Sequence, residues 1–422
     1  MRNVRQGEAV LLGLSLLSWL MIPARADDWP GWRGPRRDGI SAEKGLLASW
    51  PAGGPPLVWQ IKNLGDGYGA PAVAAGRIYL LSNEGLEHER VQALSLADGH
   101  LLWSTELGKV GNPDQRPSYP AARSTPTVDG DRLYALSSDG DLACLVAATG
   151  DIVWKHNLRA AFDGKPGTWA YAESPLVDGD LVICTPGGPT ATLVALRKQT
   201  GEVVWKCAVP EGDEAAYSSP IVVQLNGSKQ YVQFLQKGLV GVDAATGKLL
   251  WRYDRAAQGS PANIPTPVAR QSLVYHASGR GGAALVEVQK QEMGASALER
   301  YFSSRLPNAI GGAVEVGGFL YGTNSQGLIC ADLATGEIRW QDRSVGAASL
   351  LFADGRLYLH GENGDVALVA ASPERYQELG RFTPPDPPAK RVGKAWAYPV
   401  LANGKLLIRD AQCLWCYDVS AR

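Results

Sequence analysis

Residues 144–154 read CLVAATGDIVW, and four further stretches repeat that order. They are ALRKQTGEVVW at 195–205, GVDAATGKLLW at 241–251, CADLATGEIRW at 330–340 and, more loosely, ALSLADGHLLW at 93–103. In each, an apolar segment runs into a turn whose Gly tolerates positive φ, and a short strand then ends on Trp. The residues around it, DRLYALSSDGDLACLVA at 131–147, read as two strands flanking a Ser-Ser-Asp-Gly turn. Ahead of these stands a Pro-containing opener: STPTV at 124–128, ESPLV at 173–177, SSPIV at 218–222 and PTPVA at 265–269. One unit is therefore four strands. Nothing after residue 26 reads as an amphipathic helix.

Spacing turns the unit into a fold. Successive Trp lie 51, 51 and 46 residues apart from Trp103 to Trp251, and Trp59 precedes Trp103 by 44. The gap from Trp251 to Trp340 is 89, two units long, with Tyr301 in the missing slot, and Phe382 follows Trp340 by 42. Four-stranded units with periods of about 40–50 residues build β-propellers. Eight Trp-type slots and eight openers are present, but the last opener has no Trp strand and the first Trp strand has no opener. The expectation is an all-β, eight-bladed propeller of four antiparallel strands per blade. Residues 55–63 would complete the blade begun at 395–420 and so remove the free sheet edges. Trp59, Trp103, Trp154, Trp205, Trp251 and Trp340 are then structural, each laid over the turn Gly of the next blade.

Residues 1–26 read as a secretory signal: Arg2 and Arg5, an apolar run from Val10 to Ile22, and Ala24-Arg25-Ala26 as a small-x-small cleavage site. The run falls short of the roughly 20 residues a spanning helix needs. The expectation is a soluble chain exported to the periplasm or beyond, with no transmembrane segment. Residues 27–54, with Trp29, Trp32 and Trp50, are expected to pack along the blades ahead of the 55–422 propeller. Without the signal, 38 basic face 41 acidic residues. That balance gives no electrostatic footprint for nucleic acid.

The pattern A-x-D-x-x-T-G-x-x-x-W resembles the tryptophan-docking motif of pyrroloquinoline-quinone (PQQ) dehydrogenase propellers, a repeat shared by the BamB-like outer-membrane assembly proteins. Asp243 and Asp332 match its Asp, whereas Ser95, Val146 and Arg197 depart from it. The resemblance covers residues from about 55 onward and implies the fold; enzymes and scaffolds both carry the repeat. For a quinoprotein it implies PQQ, a Ca²⁺ ion, an Asp base and a disulfide of adjacent Cys. No adjacent Cys pair exists here, and Glu173 in YAESP is the one carboxylate placed where a calcium ligand would stand. For a BamB-like scaffold it implies cell-envelope protein partners, although no lipid-attachment Cys lies near the signal cut.

Other chemistry is sparse. Cys144 and Cys330 share one repeat slot and read as buried thiols. Cys413 and Cys416 lie in one expected strand, where residues three apart face opposite sides on the order of 10 Å apart, beyond disulfide reach. The five His share no ligand spacing, and the Pro-rich run at 383–391 reads as an extended surface loop. The loops entering the opener strands are richer, because they surround the mouth of the central channel. They bring Tyr68, Tyr119, Trp169 and Tyr171 there, followed by Tyr217, Trp396 and Tyr398. Arg123, Glu173, Asn263 and Asn308 stand among them. Aromatic faces with a few polar groups suit a concave ligand or peptide site. The expected function is a non-catalytic binding or scaffold propeller without a cofactor or metal. A PQQ- and Ca²⁺-dependent oxidoreductase and a glycan- or peptide-binding module are the alternatives.

Overall fold

Blade 2 shows how the repeat folds. Its strands Thr127–Asp129, Arg132–Leu136, Asp141–Val146 and Ile152–Asn157 pair antiparallel in sequence order. The side-chain period of two sends Leu133, Ala135, Ala143 and Leu145 against blade 1, and Tyr134, Leu136, Leu142 and Cys144 against blade 3. Both faces of the two middle strands are thus buried, which explains their nearly unbroken apolar sequence. The computed structural model describes residues 28–225, 227–291, 294–389, 391 and 393–421. The reading of residues 1–26 as a signal lies outside them.

Eight such sheets follow one another around a central axis: blade 1 spans residues 72–108, blade 2 residues 127–157, blade 3 residues 176–207, blade 4 residues 221–253, blade 5 residues 268–303, blade 6 residues 313–342 and blade 7 residues 348–382. Blade 8 is made of Val400–Ala402, Lys405–Asp410 and Cys413–Asp418, and its outermost strand is Leu57–Ile61. Trp59 sits opposite Cys416 in that antiparallel pair, so the closure expected from the sequence is the one observed. All six Cys are buried and free, Cys413 and Cys416 within a single strand. Among the described residues helix is confined to two short segments, of which the turn at Leu158–Phe162 escaped the sequence reading. Asn157 caps it by accepting from Arg159 N and Ala160 N.

The repeated Trp join neighbouring blades. The indole N–H of Trp59 donates to Leu96 O (3.0 Å), that of Trp103 to Ala147 O (3.1 Å), and that of Trp154 to Lys198 O (2.9 Å). Trp205 reaches Ala244 O (3.2 Å) and Trp340 reaches Ser372 O (2.8 Å). Each acceptor lies in the outer turn of the next blade. The turn Gly must be Gly: a Cβ on Gly201 (φ +75°) would stand 2.9 Å from the Trp154 ring. Tyr301 fills the missing slot as expected, donating to Leu333 O (2.9 Å).

Trp251 departs from this pattern. Its indole donates to Gln230 Oε1 (2.8 Å) in its own blade, and its ring lies over Gly241, directly opposite it in the pair. Two features cause this. Gly241 has no Cβ to keep the ring out, and blade 5 offers no Thr-Gly turn, because its outer strands Gly282–Gln291 and Gly294–Ser303 form one long hairpin. Phe382 fills the last slot over Gly54, and without an N–H it leaves Val419 O unclaimed. Leu47 N takes that carbonyl instead (2.8 Å), so the segment before the propeller supplies the bond that Phe cannot.

That segment does more than pack along the blades. Trp29 exchanges two backbone bonds with Val73 of blade 1, and Pro30 O accepts from Val128 N of blade 2. Arg33 Nη2 donates to Ala313 O of blade 6 (2.6 Å), and Arg37 donates to Ser174 O (2.8 Å) and Pro175 O (3.0 Å) beside blade 3. Ile40–Ser41 adds a parallel strand to the inner edge of blade 7. Contacts to inner strands on several sides of the ring, made within a few residues, require the segment to cross the axis. It plugs the channel.

Candidate functional site

The plug turns the channel into a cup. Trp32 forms part of its floor, held by its indole N–H to Thr266 Oγ1 (2.8 Å) and by its ring, 4.6 Å from Tyr398 in an edge contact. The opener loops supply the walls. Tyr68 and Tyr119 both meet Trp396 edge to face, at 5.0 and 5.3 Å between ring centroids. Trp169 faces Tyr217 at 6.0 Å, and its backbone N–H donates to the Tyr217 hydroxyl (2.8 Å). The cavity measures about 260 Å³.

Three of the rings are fixed from behind. Trp169 Nε1 donates to Pro117 O (2.9 Å), Tyr398 Oη to Ile310 O (3.2 Å), and Trp396 Nε1 to Glu362 Oε1 (3.3 Å). Such anchoring presents rigid aromatic faces at little entropic cost.

Arg123 is the one charged side chain lining the cup among the described residues. Its Nη2 donates to Tyr119 O, and its guanidinium lies 5.4 Å from the centroid of the Tyr68 ring. Burial pulls its pKa down, while the nearby Tyr68 and Tyr217 hydroxyls act the other way. Burial pushes Tyr68 up to about 12, so its hydroxyl stays neutral at physiological pH. The chemistry on offer is stacking plus one cation.

Of the eleven sequence candidates, seven line this cup: Tyr68, Tyr119, Arg123, Trp169 and Tyr217, with Trp396 and Tyr398. Asn308 lines a second, larger cavity beside it. Three others belong to the core and are corrections. Tyr171 is buried with its hydroxyl on Pro186 O (2.8 Å). Asn263 ties blades together by donating to Leu235 O (2.8 Å) and Gln236 O (3.0 Å). Glu173 is buried, accepting from Thr185 N and from Gln233 Nε2 (3.0 Å), with Arg37 of the plug as its nearest charge. Trp32, Ile264 and Ile310 were missed, because they lie outside the opener motifs.

The calcium and quinone pair of the dehydrogenases does not fit these residues. Ca²⁺ takes six to eight oxygens, carboxylates foremost, yet among the described residues no carboxylate lines the cup, and both Glu173 oxygens already accept protein hydrogen bonds. Among the described residues no three His, Cys, Asp or Glu side chains form a metal-binding group, and no helix is long and apolar enough to cross a membrane.

A family model described as outer membrane protein assembly factor BamB, the PQQ-like repeat family, matches residues 40–124 and 87–342. The chain belongs to this family. BamB of Shewanella oneidensis is 25% identical over 325 residues, covering 73% of this PQQ-like propeller and 72% of that protein. A polyvinylalcohol dehydrogenase of Sphingopyxis sp. is 30% identical in an alignment 163 residues long that covers 35% of this chain and 24% of that protein. The chain spans only about a quarter to a third of the length of the first relatives it matches. Among solved structures, BamB from Moraxella catarrhalis has a TM-score of 0.58 at 16% identity, covering 87% of this chain and 98% of that one. A europium-containing methanol dehydrogenase reaches 0.63 at 11% identity, covering 90% and 89%. At such identities the likeness speaks for the fold alone.

Proposed function

We propose that this PQQ-like propeller is a non-catalytic binding protein of the cell envelope, with the aromatic cup as its ligand site. The observation that carries this reading is the lining itself: among the described residues, rigid rings stand around a single arginine, with no carboxylate to serve as base or metal ligand. General acid–base chemistry is most effective when the group titrates near the working pH, and the hydroxyls of the cup belong to tyrosines, with Tyr68 pushed up to about 12. Stacking and charge pairing instead favour a ligand with a flat face and a carboxylate. The BamB relatives support an envelope setting, and protein partners on the outer surface of the ring are compatible with an occupied cup.

A small probe tests the site. 2-Naphthoate should quench the intrinsic tryptophan fluorescence of the purified chain saturably, its ring among the Trp and its carboxylate on Arg123. Trp396→Ala removes a ring that meets both Tyr68 and Tyr119, and should weaken binding by about 30-fold, the scale of an aromatic hot spot. An unchanged affinity in that variant, with the circular dichroism spectrum preserved, would mean the probe binds elsewhere.

A further inference from the structure

The cup does not end at its own rim. A second cavity of about 900 Å³ opens beside it, between loops of blades 5, 6 and 7, and shares Ala262, Ile264 and Ile310 with the cup. Trp396 of the cup wall also donates to Glu362, which lines the second cavity. The two form one concavity: a narrow aromatic end and a wide polar groove.

The groove has a distinct chemistry. Its polar lining includes Asn308, Gln326 and Gln341, whose side-chain amides donate and accept at once. Gln341 Nε2 bonds Gln326 Oε1 (3.1 Å), which leaves the Gln326 donor and the Gln341 acceptor for a ligand. Paired donor and acceptor groups suit vicinal hydroxyls. The charges are one-sided. Among the described residues Glu362 is the lone carboxylate of the lining and is ion-paired with Lys394, whereas Arg280 and Arg305 are exposed and form no ion pair. With Arg123 in the cup, three guanidinium groups lie along a path without an unpaired carboxylate. Guanidinium matches carboxylate with two parallel hydrogen bonds.

We propose that the cup and groove together bind an acidic oligosaccharide, a short chain of uronic acid units. Its terminal ring lies on the aromatic faces with the carboxylate at Arg123, and the following units run along the groove past Arg305 and Arg280. The proposal rests on the cup being a ligand site and adds to it the length, the hydroxyls and the repeated negative charge. A peptide is disfavoured by the same lining: the wide part offers amides, hydroxyls and cations but no large apolar side chain beyond the isoleucines shared with the cup.

The test uses the whole chain and three probes by isothermal titration: a short oligogalacturonate, the neutral cello-oligosaccharide of equal length, and oligoglutamate. The account expects the oligogalacturonate to bind at least about tenfold tighter than either control, with an affinity that falls as salt rises. The double variant Arg280→Ala/Arg305→Ala should lose about tenfold for oligogalacturonate and keep its affinity for 2-naphthoate, which occupies the cup alone. Both arginines are exposed, so the fold tolerates their loss. Equal binding of the neutral chain would overturn the charge assignment, and preferred binding of oligoglutamate would overturn the sugar. Intact naphthoate binding with no oligogalacturonate binding would sink this inference and spare the cup. Loss of both would sink the cup reading itself.

Discussion

Alanine at Trp154 is expected to lower the unfolding free energy by about 3–5 kcal/mol, the range for removing a buried Trp. The ring is 8% exposed, lies over Gly201 and leans on Tyr134 at 6.2 Å between centroids. It fills the seam between blades 2 and 3, and Gly201 carries no side chain that could move into the space. The lost hydrogen bond matters less. Lys198 O keeps a second donor, the Tyr134 hydroxyl at 3.1 Å, so no buried carbonyl is orphaned. The cost is therefore packing, and Trp154→Phe should recover much of it. Urea unfolding measures this as a shift in midpoint at unchanged slope. A change below about 1 kcal/mol would mean that the blades do not depend on the docked rings.

A second large effect is expected from pH. Burial raises the carboxyls of both Glu89 and Glu173 to about 7, against an ordinary value of 4.5. For Glu89 the hydrogen bonds from Ser138 oppose the shift without cancelling it, and for Glu173 those from Thr185 and the charge of Arg37 do the same. Between those values the folded chain holds protons that the unfolded chain has released, so stability falls as pH rises. The contribution is complete below about pH 4.5 and is lost by about pH 7, amounting to about 3 kcal/mol for each group. Glu173→Gln keeps the shape and removes the titration. Its unfolding free energy should rise relative to wild type as pH goes from 5 to 8. Parallel curves for variant and wild type would show that the Glu173 carboxyl titrates normally.

Much of the fold was legible because the repeat repeats. The Trp spacing gave eight slots, and the mismatch between first and last units located the closing strand at Leu57–Ile61. Trp251 misled because docking needs a partner turn as well as a ring. The stretch from Gly282 to Ser303 has no Thr-Gly pair, and that signal was present in the sequence. The plug was illegible: DWPGWRGPRRDGIS occurs once, and Arg33 and Arg37 are placed by backbone carbonyls of distant blades, which have no sequence signature. Among the candidate residues, the opener motifs put side chains near the mouth but do not encode which way they turn. Trp169 faces the cup and Tyr171, two residues on, is sealed against Pro186. Apart from Asn308, the groove escaped because its amides and arginines come from turns and strand ends of blades 5 and 6 and share no pattern.

The central claim, binding without catalysis, is tested most directly by one titration. The purified chain is mixed with PQQ, with and without Ca²⁺, while heat, quinone absorbance and reduction of an artificial electron acceptor by alcohols and sugars are followed together. The account predicts no calcium-dependent binding and no reduction of the acceptor. Saturable, calcium-dependent quinone binding with acceptor reduction would contradict it.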